Sequence, residues 1–305
     1  MLRKLVFALA LAAALILALL ASPAAAQQDL SQVEIKTEKL ADGIHMLQGA
    51  GGNMALCTGP DGGFLIDGEM APLVDKILAA ARAVDERPVR FLLNTHWHGD
   101  HTGGNEDYAR AGITIVAHEN VRTRLAAEQR SPVSGDPIPA AAADALPRMT
   151  FSQGATFYLN GQEIRVVHIP PPAHTDGDAI VVFPRANIVH TGDLFFNGRY
   201  PVIDLGAGGS IDGMIAAADR LLALTDDATR IVPGHGPLAD KAALAAYREM
   251  LAGVRAAVAR EVAAGKSKEE TIAAKPTAAY DAKWARNAAA ADRFAGVVYG
   301  SLKKQ

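Results

Sequence analysis

The sequence predicts an α/β protein in which groups of strands are followed by helices, giving two similar halves. The chain has 305 residues, half of them apolar, which is enough to bury one large core or two small ones. Short runs of β-branched and apolar residues are separated by Gly, Pro, Asp and Asn turn signals. Longer stretches carry apolar residues three or four positions apart, the spacing of an amphipathic helix.

The first 26 residues predict a segment that is removed from the mature protein. Two basic residues precede an apolar run from Leu5 to Ala21, and Ser22-Pro23 and three alanines follow it. This pattern is typical of a secretory signal peptide, so we expect cleavage after Ala26, a periplasmic or secreted protein, and no stable membrane anchoring. The alternative is an uncleaved membrane anchor, for which the run is only marginally long enough.

The body of the domain, residues 27–264, begins with strands that we expect to be antiparallel. These are predicted at 33–38, 44–47, 54–58 and 64–67. Residues 72–84 have helical spacing, and a strand at 89–94 leads directly into the first polar cluster.

The rest of the body repeats this pattern of strands and helices. We predict strands at 113–117, 156–159, 163–169, 179–183, 188–191 and 230–232, and helices at 119–129, 212–224 and 240–264. Asn160-Gly161 indicates a tight hairpin turn. Ser131 to Pro147, rich in Pro and Ala, is predicted as a loop.

Residues 265–305 are predicted to form a helical extension packed on the domain. Ser267 to Ala274 has the pattern of a capped helix, and Asp292 to Leu302 has near-helical apolar spacing. A dimer contact or a lid over a cleft are the alternatives for this tail.

Charge and cysteine content narrow the possible functions. The formal net charge is -3 and no long run of Lys or Arg is present, so nucleic acid is not an expected partner. Cys57 is the only cysteine, which excludes an intramolecular disulfide. It is flanked by Leu56 and Thr58 in an apolar segment, which predicts a buried side chain in a strand.

Potential metal ligands are concentrated in one short segment after the strand at 89–94. His96, His98, Asp100 and His101 form an H-x-H-x-D-H string, in a chain with nine histidines in all. A tight turn can aim His96 and His98 at one ion while Asp100 and His101 reach a second. A solvated loop with clustered histidines is the alternative, and the density of the string argues against it.

Three later residues of ligand type also follow predicted strands. His174 lies in P-A-H-T-D-G-D, Asp193 in H-T-G-D, and His235 in V-P-G-H-G. Each has Gly or small neighbours, and their recurrence after the first motif predicts that all three join one site.

Taken in order, these motifs resemble those of the metallo-β-lactamase superfamily over roughly Val33 to Ala264. The resemblance implies a four-layer αββα sandwich, with the metal site at one edge of the sheets. It implies that His96, His98 and His174 bind a first zinc ion, that Asp100, His101 and His235 bind a second, and that Asp193 bridges them. Iron and manganese accept the same ligand types, so they remain possible metals.

The implied chemistry is hydrolysis by a hydroxide that two metal ions share. Such a hydroxide is a nucleophile at neutral pH because the metals lower the pKa of water, and Asp100 can orient it as a catalytic residue. Predicted export and the A-H-T-D-G-D segment favour a β-lactam among the small-molecule substrates. The alternatives are a periplasmic lactonase, thioesterase or esterase, and, beyond enzymes, a non-catalytic metal-binding protein.

Two departures from the best-known β-lactamases favour the alternative substrates. Those enzymes have Cys where Asp193 stands and Lys where Phe196 stands, whereas hydroxyacylglutathione hydrolases and lactonases have a bridging Asp. One alternative is that Arg199 replaces that lysine. We predict instead that Arg199 is an ordinary solvated surface residue.

The remaining polar residues near the motifs are predicted to have supporting roles. Asp67, at a strand end, can orient a ligand histidine, and Trp97 can line the cleft or pack locally. Structural roles are predicted for the four other histidines: His45, His118, His168 and His190.

Overall fold

The computed structural model describes residues 29–303; the predicted signal peptide, within residues 1–28, and residues 304–305 lie outside the described part. Residues 29–33 contain one 3-10 turn, Leu30–Gln32. Residues from Glu34 onward form one compact unit, to which everything below refers. No helix within residues 29–303 has the length and apolar character needed to cross a membrane.

The first half of this unit forms a seven-stranded sheet with a small hairpin beside it. Its strands are β1 Lys36–Ala41, β2 Ile44–Gln48, β3 Met54–Cys57, β4 Gly63–Ile66, β5 Val89–Asn94, β6 Thr114–His118 and, after the hairpin strands β7 Gln129–Arg130 and β8 Pro137–Ile138, β9 Met149–Phe151. The order across the sheet is β1-β2-β3-β4-β5-β6-β9. Strands β1 to β4 pair antiparallel, which confirms the predicted start, and β4, β5, β6 and β9 pair parallel.

The second half forms a five-stranded sheet. Its strands, in both chain and spatial order, are β10 Gly154–Leu159, β11 Gln162–His168, β12 Ala179–Phe183, β13 Ile188–His190 and β14 Arg230–Val232. All pairs are antiparallel except β13 with β14. Asn160 and Gly161 join β10 to β11 with positive φ angles of 55° and 71°, as the predicted two-residue hairpin turn requires.

Nine helices lie within the described residues. They are α1 Val74–Val84, α2 Gly99–Thr102, α3 Asn105–Arg110, α4 Glu119–Leu125, α5 Ile211–Leu224, α6 Lys241–Ala263, α7 Lys268–Ala273, α8 Asp281–Trp284 and α9 Ala288–Lys303. The caps are local: Asp240 accepts a hydrogen bond from the Ala243 N–H at the start of α6, and Ser267 and Glu270 form a reciprocal capping box on α7.

The layers are those of an αββα sandwich. Between the sheets, apolar residues of β2, β4 and β5 pack with those of β11, β12 and β13, including Met46, Phe64 and Val181. A second core joins the outer face of the five-stranded sheet to α5, α6 and α9. Helices α3 and α4 contact β6 of the seven-stranded sheet.

The structure differs from the predicted elements mainly where they are short. The helix predicted to end at Gln129 ends at Leu125, because Gln129 and Arg130 pair with β8. The predicted loop at 131–147 therefore contains β8 and a 3-10 turn, Ala143–Ala145. The first strand begins at Lys36 rather than Val33, and β9, α2, α3 and α8 were not predicted; each has at most six residues, too few for a period to show.

Candidate metal centre

The seven predicted ligand residues meet at one edge of the sandwich. Strands β5, β13 and β14 deliver the first motif, Asp193 and His235, and the loop between β11 and β12 delivers His174. The carboxyl ends of neighbouring parallel strands lie at the same edge, which is why β13 and β14 bring their following residues together. Their ligand atoms fall into three overlapping groups, each within 4.8 Å.

The first group consists of His96, His98 and His174. His98 Nδ1 lies 2.8 Å from His174 Nε2. The other ring nitrogens are already engaged: His98 Nε2 donates to Asp204 Oδ2 at 3.0 Å, and His174 Nδ1 donates to the Val202 carbonyl at 2.8 Å. In these tautomers the two facing nitrogens carry lone pairs, so they cannot hydrogen-bond to each other but can bind a cation between them.

The second group consists of Asp100, His101 and His235. Asp100 Oδ2 lies 3.2 Å from His235 Nε2 and 3.8 Å from His101 Nε2. His101 Nδ1 donates to Asp67 Oδ2 at 2.8 Å, which leaves Nε2 as the ligand atom. These are the three residues predicted to bind the second ion, and their ligand atoms lie within 4.8 Å of one another.

Asp193 lies between the two groups. Its Oδ2 is 3.5 Å from His174 Nε2 and 3.3 Å from His235 Nε2, while its Oδ1 is 3.2 Å from His101 Nε2. With His96 and His101 it forms the third group of candidate ligands. Asp193 therefore has members of both groups within 3.5 Å of its carboxylate oxygens.

Unpaired polar atoms in the centre fit bound cations. Within the described residues, His96 Nε2, His101 Nε2 and Asp193 Oδ1 are buried, and none has a partner in hydrogen-bonding geometry, although the last two lie 3.2 Å apart. A buried polar atom left in this way costs about 1–3 kcal/mol. Imidazole nitrogens and carboxylate oxygens are zinc ligands, and iron and manganese also accept them. The residues therefore fit divalent metal ions.

The charges of the centre are strongly coupled. Burial alone would raise the pKa of Asp193, but His235, His101 and His96 lower it well below its ordinary value. Burial acts to lower the pKa of His101, yet Asp193 and Asp67 raise it well above its usual range. Burial and then the neighbouring His98 lower the pKa of His174 to about 4, which keeps that imidazole neutral and able to bind a metal.

Asp67 supports the centre from the end of β4, as predicted. It adopts a left-handed φ of 61°, which Asp tolerates better than most residues. Its Oδ1 accepts from the Thr95 N–H, and its Oδ2 accepts from both the Thr95 hydroxyl and His101 Nδ1, each at 2.8 Å. The carboxylate thereby fixes the ring of His101 and the start of the first motif.

Two supporting carboxylates were missed by the sequence reasoning. Asp204 accepts a hydrogen bond from His98 and lies in the long loop between β13 and α5, where no sequence motif marked it as a site residue. Asp178 accepts from the N–H groups of His174 and Thr175 at 2.8 Å, and burial raises its pKa to about 7 despite the opposing bonds from Thr175. Its signal was available, since Asp178 ends the A-H-T-D-G-D segment.

Glycine is required at two close approaches to the ligands. A Cβ at Gly234 would overlap the Asp193 carboxylate, and one at Gly52 would overlap the His101 ring. Both glycines let a backbone lie directly against a ligand side chain.

The four remaining histidines lie outside the ligand groups. His118 caps α4 through the Asn120 N–H and stacks on His168, with ring centroids 4.0 Å apart. His190 pairs with the Asn53 carbonyl at 3.2 Å, and His45 lies in β2. The structure thus gives the ring nitrogens of His118, His168 and His190 structural partners.

The sequence also led to predictions for three other side chains, Trp97, Cys57 and Arg199. Trp97 is buried in a cluster with Val121 of α4 and Ala207, so it packs locally. Cys57 is fully buried in β3, and burial raises its pKa to about 11. Arg199 is not a solvated surface residue: it lies half-buried in the cleft with its guanidinium 5.4 Å from the Phe196 ring centroid, and burial lowers its pKa to about 10.

Comparison with known proteins places these features in a family. Residues 48–235 match the model of the metallo-beta-lactamase superfamily. Curated relatives include hydroxyacylglutathione hydrolases of Brucella anthropi (28% identity over 192 residues, 59% of this chain and 63% of the relative) and of Polaromonas sp. (30% over 165 residues, 53% of each). Another is the 2,4-dinitroanisole O-demethylase subunit alpha of Nocardioides sp. (31% over 150 residues, 49% of this chain and 41% of the relative). The chain thus spans about two fifths to three fifths of the length of these relatives.

Solved structures are similar over the body of the fold. A metallo-beta-lactamase from Pontibacter korlensis has a TM-score of 0.59 at 22% identity, covering 72% of this chain and 99% of its own. A metallo-beta-lactamase from Hirschia baltica has a TM-score of 0.56 at 18% identity, covering 72% and 98%. At these identities the likeness establishes the fold.

Proposed function

Because this chain belongs to the metallo-β-lactamase superfamily, we propose that it is a hydrolase that holds two zinc ions and opens an amide or ester bond of a small molecule. The observation that carries this proposal is the position of Asp193 between two groups of ligand atoms. His96, His98 and His174 would hold one ion, Asp100, His101 and His235 the other, and Asp193 would contact both. Such ions supply Lewis acidity and lower the pKa of water, so that hydroxide is available near neutral pH.

The residues of the chain contribute orientation and proton handling. The Asp100 side chain is 36% exposed, facing the cleft. Burial would raise its pKa, but His101 and His235 lower it, so the group is a carboxylate that accepts a hydrogen bond from an attacking water. Asp67 and Asp204 hold the rings of His101 and His98 in fixed tautomers.

The first substrate that we propose is a β-lactam, because export to the periplasm would bring the protein to compounds that act on the cell wall. The second is a thioester, lactone or other ester. Two features support this second class: the carboxylate at Asp193, and the hydroxyacylglutathione hydrolases among the relatives.

The test is turnover by zinc-loaded mature protein beginning at Gln27. A chromogenic β-lactam, a thioester, a lactone and an aryl ester are assayed in parallel, with and without a chelator. We expect chelator-sensitive turnover of at least one substrate, its loss in His98→Ala, and full retention in the control His118→Ala. Asp193→Cys is expected to retain one metal ion.

The outcomes separate the candidate functions. Rapid lactam opening assigns a β-lactamase, and ester or thioester turnover without it assigns the second class. Protein that binds two ions but turns over none of the four substrates would contradict the hydrolase proposal and favour a metal-binding protein. Wild-type turnover by His98→Ala would refute the assignment of the first site. Export is tested separately, by sequencing the N-terminus of the protein recovered from the periplasm.

A further inference from the structure

The loop between β2 and β3 lies directly against the second group of candidate ligands. It consists of Gly49-Ala50-Gly51-Gly52-Asn53 and is called the 49–53 loop below. The Gly52 N–H donates to the Asp100 carbonyl at 3.1 Å, and a Cβ at Gly52 would overlap the His101 ring. The backbone of this loop is therefore in contact with the segment that carries two of the three ligands.

Asn53 connects the same loop to the turn that carries His235. Its side-chain NH₂ group donates to the carbonyls of Pro233 and Gly236, both at 2.8 Å. Its backbone N–H donates to the Gly234 carbonyl at 2.7 Å. Asn53 is only 4% exposed, so these bonds are shielded from water. A single residue thus binds three carbonyls of the turn that presents the third ligand.

Glu69 binds the middle of the 49–53 loop. Its carboxylate is fully buried, and Oε2 accepts from the Gly51 N–H at 2.7 Å. The backbone of Glu69 is itself bonded to the segment after the ligands, because its carbonyl accepts from the Gly104 N–H at 3.0 Å. The preceding residue, Gly68, donates its N–H to the His101 carbonyl at 2.8 Å. Glu69 therefore joins the loop to the ligand segment.

Two features of Glu69 disfavour this arrangement unless the contact has a use. The residue adopts a left-handed φ of 55°, which side chains other than Gly rarely adopt. Within the described residues its Oε1 is buried and has no partner in hydrogen-bonding geometry, and a buried carboxylate is costly. Strained backbone and incompletely satisfied polar groups are typical of functional sites. A Cβ at Gly51 would lie 3.0 Å from the Asp100 Cβ, so the bond that Glu69 makes is formed beside a candidate ligand.

We propose that Glu69 and Asn53 are positioning residues for the second metal ion, and that they act through the 49–53 loop. Glu69 holds the loop against Asp100 and His101, and Asn53 holds it against the turn of His235. The loop thereby sets the spacing of these three ligands, whose ligand atoms lie within 4.8 Å of one another. This inference rests on the proposed function in taking two ions to be bound, and it extends that function by giving the second ion supports of its own.

The first group of ligands has different supports. Asp204 accepts from His98 Nε2 at 3.0 Å, and the Val202 carbonyl accepts from His174 Nδ1 at 2.8 Å. Neither contact involves the 49–53 loop. Loss of the loop's anchors should therefore affect the second ion more than the first, which makes the first ion an internal control.

Three variants separate the contacts from the charge. Glu69→Ala removes the bond to the Gly51 N–H, whereas Glu69→Gln removes the negative charge but keeps an oxygen for that bond. Asn53→Ala removes both side-chain bonds to the turn of His235. The matched control is Glu249→Ala, which truncates an exposed glutamate of α6.

The measurement is a zinc titration of metal-free protein that carries isotope-labelled histidine. The imidazole resonances of His101 and His235 report the second ion, and those of His98 and His174 report the first. Competition with a chromophoric chelator then gives the Kd of each ion. Amide hydrogen exchange of Gly51 is followed separately in the metal-free protein.

We expect Glu69→Ala and Asn53→Ala each to raise the Kd of the second ion at least about tenfold, as loss of a residue that orients metal ligands does. The Kd of the first ion should change by less than about threefold, and Glu69→Gln and Glu249→Ala should change neither Kd by more than this factor. In metal-free Glu69→Ala the Gly51 amide should exchange faster than in wild-type protein, because its acceptor is gone.

Three results would overturn the proposal. The first is an unchanged Kd of the second ion in Glu69→Ala, and the second is an equal loss of both ions. The third is a loss of about tenfold in Glu69→Gln, since the charge rather than the bond would then act on the metal. Glu69→Gln has nearly the shape of the wild-type side chain, so it should fold and give this result even if Glu69→Ala does not fold.

Failure of this proposal is distinguishable from failure of the proposed function. If wild-type protein binds two ions but hydrolyses no substrate, a selective loss of the second ion in Glu69→Ala retains the positioning role while the hydrolase proposal fails. If a substrate is hydrolysed and both Kd values are unchanged in Glu69→Ala and Asn53→Ala, the hydrolase proposal stands and the positioning role fails.

Discussion

Asp204→Asn should weaken zinc binding at the first site while leaving the fold intact. The Asp204 carboxylate is buried; Oδ2 accepts from His98 Nε2 at 3.0 Å and Oδ1 accepts from the Ala207 N–H at 2.9 Å. In the asparagine variant the amide oxygen can keep the Ala207 bond, which places the NH₂ group against His98. His98 must then carry its proton on Nδ1, the atom that faces His174 and would bind the metal.

The size of the effect follows from the bond that is lost. A hydrogen bond to a charged group contributes about 1.5–3 kcal/mol, and each 1.4 kcal/mol is tenfold in affinity, so we expect a roughly ten- to hundredfold rise in Kd. Supporting carboxylates of metal-bound histidines have effects in the same range. The opposite amide orientation would set its NH₂ against the Ala207 N–H, so neither orientation avoids the penalty.

The assay is a zinc titration in competition with a chromophoric chelator, which resolves the two ions. One ion should be weakened by the stated factor, and the other should change by less than about threefold if the sites are loaded independently. Asp219→Asn is the control, because Asp219 forms an exposed ion pair with Arg248 on the helical surface. Unchanged Kd values for both ions in a folded Asp204→Asn variant would refute the assigned tautomer of His98.

Three further predictions concern the centre and the core. Gly234→Ala should lower zinc affinity at least about tenfold, because the new Cβ would displace the Asp193 carboxylate. The control is Gly99→Ala, which should not change the affinity because its Cβ would meet no atom within 4 Å. Equal zinc affinities of the two variants in a titration would contradict the close approach of Gly234 to Asp193. Chelation should lower Tm, because bound metal at a thousand times its Kd adds about 4 kcal/mol to stability; a Tm insensitive to zinc would argue against a built metal site. Cys57 should resist labelling by maleimide at pH 8 until the protein unfolds, because burial raises its pKa to about 11 and leaves a protonated, inaccessible thiol. Labelling of the native protein at the rate of a free thiol would contradict this and show that β3 opens readily.

The parts of the fold that could be predicted are those in which sequence pattern and burial agree. Strands β5, β12 and β14 have the predicted bounds, since each is a short apolar run between polar turns. The hairpin at Asn160-Gly161 was predictable because its backbone angles favour those two residues. Strands β7 and β8 were not, because two residues show no period and their pairing depends on contacts across the loop.

The same distinction applies to the residues of the candidate site, some of which could be predicted from the sequence while others could not. The ligand residues carry motifs of their own, since each needs a particular side chain and small neighbours at a turn. Asp204 carries none, because its contact with His98 arises from how a distant segment folds back towards the ligands. Arg199 was predicted as a surface residue, although it is half-buried in a cavity that residues of the tail also line.

Different segments of the chain supply the candidate metal ligands and part of the wall of the neighbouring cavity. The segment that matches the family model ends at residue 235, with the last candidate ligand. Residues after 280, including Trp284, Phe294 and Val297, line part of a cavity that His98, Asp100 and His235 also line. Mutations in the tail would therefore change the shape of this cavity without altering any candidate ligand residue. For a hydrolase of the kind proposed, exchange of the last few helices would change which substrates fit the cavity while the candidate metal ligands stayed the same.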